Sequence, residues 1–251
     1  MSNTNESSPQ PAGYYGNDVE KGMDRQIERM ITPGGHPIDY SQPGIPAQHR
    51  KYGNPVPVGL LAFAANFYLF GLYGLGLRGV GGVNGLVPLL TIFGGVGQTM
   101  VGWFEMFIGN TYSGTMFISF GGFCFGLACM FIPSFGVIAG YSDANGQLTN
   151  QFAQALGMYL LVWAGIVFLF ILASLRASVA ILAVLVCACM AFMLVGIAQM
   201  TGNVAVGKAG SSFCIIAATM GVWAAMAGFW TPDTTYPWVR ISPIDLSPKE
   251  D

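Results

Sequence analysis

The polar chemistry open to the apolar middle of this chain is amide chemistry. Between Pro55 and Trp230 the only charged residues are Arg78, Glu105, Asp143, Arg176 and Lys208. Against that background the amides Asn54, Asn66, Gln98, Asn110 and Asn203 stand out. A side-chain amide offers two N–H donors and one carbonyl acceptor without carrying a charge, which suits it to holding a small polar solute or capping a helix. Gln98 and Glu105 are seven residues apart and Thr91 lies seven before Gln98, so the three share a helical face. An ionisable residue in a membrane segment is a functional candidate by default, which gives Glu105 a reading in proton transfer. Glu105 lies near the end of its span and has a second reading, in which it reaches the headgroup region or pairs with a neighbouring protomer.

Other chemistries lack their residues. The five cysteines, Cys124, Cys129, Cys187, Cys189 and Cys214, show no C-x-x-C spacing and read as small apolar packing residues. Both histidines, His36 and His49, lie in the N-terminal tail, which removes the usual constellations for a metal centre or a nucleophilic triad. No enzyme, metal or cofactor is expected. The "GGVG" run at 94–97 lies mid-span without the Lys and Ser/Thr of a phosphate-binding loop, so its glycines, like Gly122 and Gly126, read as close-packing positions. A net charge of -2 gives no handle for nucleic acid.

The elements that must position these residues are membrane helices. Of the 251 residues 53% are hydrophobic and 9% charged, a membrane composition. Six apolar runs are long enough to cross a bilayer core of about 30 Å: 55–77, 86–108, 113–135, 152–173, 178–200 and 209–230. They are unbroken rather than short and alternating, which favours helices over a barrel. The fold class is an all-α integral membrane protein, a bundle of six transmembrane helices. Residues 1–52 form a polar tail expected to be cytosolic and largely disordered, with one amphipathic stretch around Val19, Met23 and Ile27. Residues 53–232 form the membrane domain and 233–251 a short cytosolic tail. With the N-terminus inside, eight basic residues (Lys21, Arg25, Arg29, Arg50, Lys51, Arg176, Arg240, Lys249) fall on the inner side, against Arg78 and Lys208 outside. Both termini therefore face the cytosol.

In "NPVPVGL" at 54–60, Asn54 reads as a helix cap and Pro55 and Pro57 as the first turn. The unpaired N–H groups of such a start also attract an anion. Asn follows Gly at two more span ends, Asn110 and Asn203, where glycine-rich turns are the plainer account. On the first span Gly59, Phe63, Asn66 and Phe70 recur at helical spacing, and on the third Ser113, Phe117, Phe120 and Cys124 do the same. Each stripe mixes small polar groups with aromatic rings. Such a lining can gate by excluding water, and ordinary helix packing produces the same spacing.

"NPVPVGL" resembles the NPAPLGL signature of the acetate uptake transporter family, also called the succinate-acetate permease family, with Val56 and Val58 as conservative departures. "EMFIGNTY" at 105–112 and "GNVAVG" at 202–207 are similar to further family segments in the expected order. The resemblance covers 53–232, and the long N-terminal tail is similar to fungal members. It implies a multi-pass protein of the plasma membrane, a homohexamer with a separate path through each protomer for acetate and other short monocarboxylates. By the same resemblance Phe63 and Phe120 match constriction positions. The third such position falls on Ala188, where the family often has a bulky aliphatic residue, so the path is wider there or a neighbour such as Leu185 or Met190 fills the gap.

Three functions from different classes follow: a carboxylate transporter, favoured by the family motifs; a channel exporting ammonia, ammonium or another small solute; and a non-transporting scaffold or sensor. Few basic residues lie deep in the spans, which leaves passage as the neutral acid or together with a proton, and no residue is marked as the proton carrier.

Overall fold

The computed structural model describes residues 53–246. The reading of the N-terminal tail, with its amphipathic stretch and both histidines, lies outside these residues. Six long helices cross the bundle: α1 (Val56–Gly74), α2 (Asn84–Phe107), α3 (Thr111–Phe131), α4 (Asn150–Ala173), α5 (Val179–Thr201) and α6 (Val204–Phe229). All six are long and apolar enough to span a membrane. The described residues contain no strand, only two isolated bridges. The outward faces are themselves apolar, with Ile92, Met100, Trp103 and Phe107 exposed along α2 and Met158, Val162, Leu169 and Leu172 along α4. In water these stripes would be a liability; against lipid tails they are the favoured surface.

Four features of the helices differ from the sequence expectation, each for a local reason. Pro133 opens a short turn that stops α3 at Phe131 rather than 135. α6 begins at Val204 rather than 209 because Asn203 accepts hydrogen bonds from the amides of Ala205 and Val206. Its first turns therefore carry Lys208. At α1 the capping residue is Pro55, not Asn54: Asn54 stands one residue further out, and its Oδ1 accepts from the Val56 amide at 3.1 Å. α2 is not one regular helix, since Leu90–Gly97 is π-helical between a short proline-containing start and a regular second half, Gln98–Phe107.

Among lipid tails helices associate through close packing and interhelical hydrogen bonds, because lipid is as apolar as the side chains it would replace. α2 and α3 meet at Gly102 and Gly114, where a Cβ on Gly102 would lie 2.9 Å from the Gly114 carbonyl oxygen. Tyr159 on α4 donates to the Phe123 carbonyl of α3 at 2.9 Å. Gln154 on α4 donates to the Met200 carbonyl of α5 at 2.8 Å, and the hydroxyls of Tyr68 on α1 and Thr219 on α6 lie 3.0 Å apart.

The chain after α6 folds back onto the start of α5. The amides of Val179 and Ala180 donate to the carbonyls of Ile244 and Pro243, the Leu246 amide donates to the Ala177 carbonyl, and the Trp223 indole donates to the Ser242 carbonyl. The first amides of α5 thus find partners that the helix cannot supply. The polar stretch read as a short C-terminal tail is, over 242–246, a strap across the bundle end.

Candidate functional site

The two sequence stripes face one interior line. From α1, Phe63 meets Phe120 of α3 edge-on, with ring centroids 5.4 Å apart, and stacks on Phe67 at 4.1 Å. Phe67 and Phe123 both abut Phe192 of α5. These rings close a waist with a small void on either side. The void toward the end of the bundle where α1 stops is lined by Asn66, Phe67, Phe70, Gln98, Cys124 and Phe192, among others. The void on the other side lies among Leu60, Met116, Phe117, Ile181, Val184 and Leu185. Phe63, Phe120 and Gln98 border both. Each leaves about 20 Å³ for the centres of water-sized molecules, room for one or two waters and too little for a solute of several heavy atoms. Beyond Phe70 lies a vestibule of about 190 Å³, lined by Tyr73, Val83, Gln199 and Ser211. The line is therefore vestibule, Phe70, void, ring pair, void. The waist is shut by aromatic rings whose apolar surfaces exclude water.

Two amides sit at this waist. Asn66, 3% exposed, donates from Nδ2 to the Ala62 carbonyl at 2.8 Å. Gln98, 1% exposed, reaches from α2 to donate to the Gly59 carbonyl of α1 at 3.3 Å, and its Oε1 lies 3.7 Å from the Cys124 thiol. The π-helical stretch of α2 makes this possible. A Cβ at Gly94 would stand 2.7 Å from Asn66 Nδ2 and 2.9 Å from Cys124 Sγ, so only glycine leaves space for both groups. π-helical turns recur at functional sites because they displace a helix face without ending the helix.

Glu105 belongs to a different place. It is 1% exposed, and its Oε2 accepts from Asn110 Nδ2, whose Oδ1 in turn caps α3 by accepting from the Ser113 amide at 3.1 Å. The carboxylate sits at the N-terminus of α3, the end whose partial positive charge favours an anion. Within the chain it is turned inward, because the turn at Gly109 brings Asn110 back to meet it.

The candidate residues thus separate into groups. Phe63, Asn66, Gln98 and Phe120 come together at the waist, and Glu105 with Asn110 forms a corner at the α2–α3 turn. Asn54 and Asn203 sit at the starts of α1 and α6, where both accept backbone hydrogen bonds. Ala188 is 0% exposed and borders neither void; Leu185 and Phe192, one turn to either side on α5, do. Phe67, Phe123 and Phe192 escaped the sequence reading. The signal for Phe192 is its place one turn beyond Ala188, and Phe67 and Phe123 likewise stand one turn beyond Phe63 and Phe120.

A six-helix bundle with an aromatic waist and no charge along the line between its voids defines a membrane protein built to pass or exclude small solutes. The sequence profile of the GPR1/FUN34/yaaH family matches residues 39–247, and this chain belongs to that family. It is 32% identical over 205 residues to ammonia transport outward protein 2 of Saccharomyces cerevisiae, covering 81% of this chain and 71% of the relative. It is 29% identical over 228 residues to acetate permease A of Emericella nidulans, covering 84% and 75%. The solved structure of the bacterial acetate channel SatP superposes with a TM-score of 0.61 at 27% identity, covering 71% of this chain and 93% of that one.

Proposed function

We propose that this protein carries acetate and other short monocarboxylates across the plasma membrane, as a homohexamer with one path in each protomer and both termini cytosolic. The observation that carries the reading is the uncharged line from vestibule to waist, closed by Phe63 against Phe120 and bordered by two amides. Movement is coupled to protons through the substrate's own protonation, since the one carboxylate buried in α2 is engaged at the α2–α3 turn, away from the two voids. Two relatives whose names specify acetate support the substrate class.

Export of ammonia is a second reading, and the relative named for it favours it. Labelled-acetate uptake into proteoliposomes of the purified full chain, driven by an imposed pH gradient, separates the two. Acetate uptake above protein-free vesicles is the expected result. Methylamine flux without acetate flux would establish the second reading, and flux of neither would leave a scaffold or sensor.

A further inference from the structure

We propose that Ser242 is a phosphorylation site for a proline-directed kinase, and that its phosphate fastens the strap of 242–246 onto the start of α5. Ser-Pro or Thr-Pro dipeptides, the minimal mark such kinases read, begin at 8, 32, 231, 242 and 247. Two of these fall within the described residues. Thr231 pairs with Thr234 and Thr235 in its own turn, whereas Ser242 stands where strap, α5 and α6 meet. Its side chain is exposed and its carbonyl accepts from the Trp223 indole of α6 at 3.0 Å. The next two carbonyls, of Pro243 and Ile244, accept from the Ala180 and Val179 amides of α5 at 3.2 and 2.9 Å. Ile181, Val184 and Leu185, in the turns that follow, border the void beyond the ring pair. What holds the start of α5 therefore holds one wall of that void.

The strap is built to lift. Ile244 has a φ of 56°, in the left-handed region that a β-branched residue rarely adopts, and its side chain is 52% exposed. The docked strap keeps an unfavourable backbone conformation and buries little apolar surface in return, so local opening costs little. A kinase takes the lifted chain, where Pro243 keeps Ser242 extended. The γ-phosphoryl group of ATP passes to Ser242 Oγ: an O–P bond forms as the bond to the β-phosphate oxygen breaks, ADP leaves, and the hydroxyl proton goes to the kinase's base. On return the phosphate finds its partners in place. Ser242 Oγ already accepts from the Ile244 amide at 3.2 Å, the bond that closes the strained turn, and a phosphate oxygen accepts more strongly there. The group also comes down beside the N-terminus of α5, whose partial positive charge favours an anion, with Arg240 two residues before it. One like charge of the strap, Asp245, opposes these three attractions.

The proposal rests on the cytosolic placement of the termini above, which protease accessibility in intact cells tests separately. The purified full chain in lipid nanodiscs is incubated with a mitogen-activated protein kinase, ATP and Mg²⁺, and the modified residues are read from fragment masses. Phosphate on Ser242 is expected, and its loss in Ser242→Ala but not in Ser247→Ala assigns it. Hydrogen exchange is then followed in the peptide that carries the Val179 and Ala180 amides, with the phosphorylated and untreated parent side by side. Exchange there is expected to slow about fivefold on phosphorylation. Unphosphorylated Ser242→Ala, which takes the acceptor from the Ile244 amide, should exchange about threefold faster than the parent. Phosphate on Thr231 or Ser247 with none on Ser242 overturns the proposal. A phosphate on Ser242 that leaves the exchange unchanged or speeds it does so too, as does a parental rate in Ser242→Ala. None of these readouts uses transport, so each stands whatever solute the bundle passes.

Discussion

The waist and the Glu105 corner are both buried polar places on α2, seven residues apart, and they settle their hydrogen bonds in opposite ways. At the corner a carboxylate, an amide and a helix N-terminus complete one another: Asn110 donates to Glu105 and accepts from the Ser113 amide. At the waist each amide is pinned by its donors, while Asn66 Oδ1 has no partner and Gln98 Oε1 only the Cys124 thiol at 3.7 Å. The difference separates a polar cluster complete within the chain from one that leaves an acceptor without a donor. In hydrocarbon surroundings that distinction is sharper than in water, because solvent cannot complete the open side.

The largest effect is expected where the closed cluster is cut. Glu105→Leu strands the Asn110 NH₂ group and removes a charge-assisted bond, and thermal unfolding in detergent should show a loss of about 3 kcal/mol. Glu105→Gln, which can still accept from Asn110, should recover most of it. Equal losses in the two variants would mean that the corner is held by packing, and the comparison would fail.

A smaller effect locates the edge of the waist on α5. Ala188 is fully buried and borders neither void, so Ala188→Leu should overpack the helix contact at about 2 kcal/mol. Acetate and lactate uptake should then fall in the same proportion. A selective loss of lactate would put Ala188 in the path after all, as the family resemblance has it.

The smallest concerns Asn54. Asp at that position still accepts from the Val56 amide, so Asn54→Asp should shift stability by less than about 0.5 kcal/mol. Passage of the neutral acid predicts unchanged acetate uptake in this variant at low pH. A marked loss there would point to an anion drawn to the start of α1, against passage as the neutral acid.

Much of the fold is legible in the sequence because lipid imposes a simple rule, that apolar runs of sufficient length become helices. The six runs and the two stripes of α1 and α3 follow from it. What it misses is set by backbone rather than by side-chain pattern. The π-helical stretch looks like any glycine-rich helix segment until Asn66 and Cys124 are seen beside Gly94. Likewise Gln98 lies on a readable polar face with Glu105, yet nothing in its spacing says that one bonds to α1 and the other to the α3 turn. The strap at 242–246 works largely through main-chain groups, which any sequence carries.

That strap bears on the order in which the protein can be completed. The opening amides of α5 are bonded to carbonyls at 243 and 244, which leave the ribosome only after all of α6 has been made. Until then the amides of Val179 and Ala180 lack these partners, and only the Ser178 side chain caps that turn. Release of the strap's residues is what lets that end of the bundle close, so maturation of this corner is a post-insertion event even though every span has already crossed.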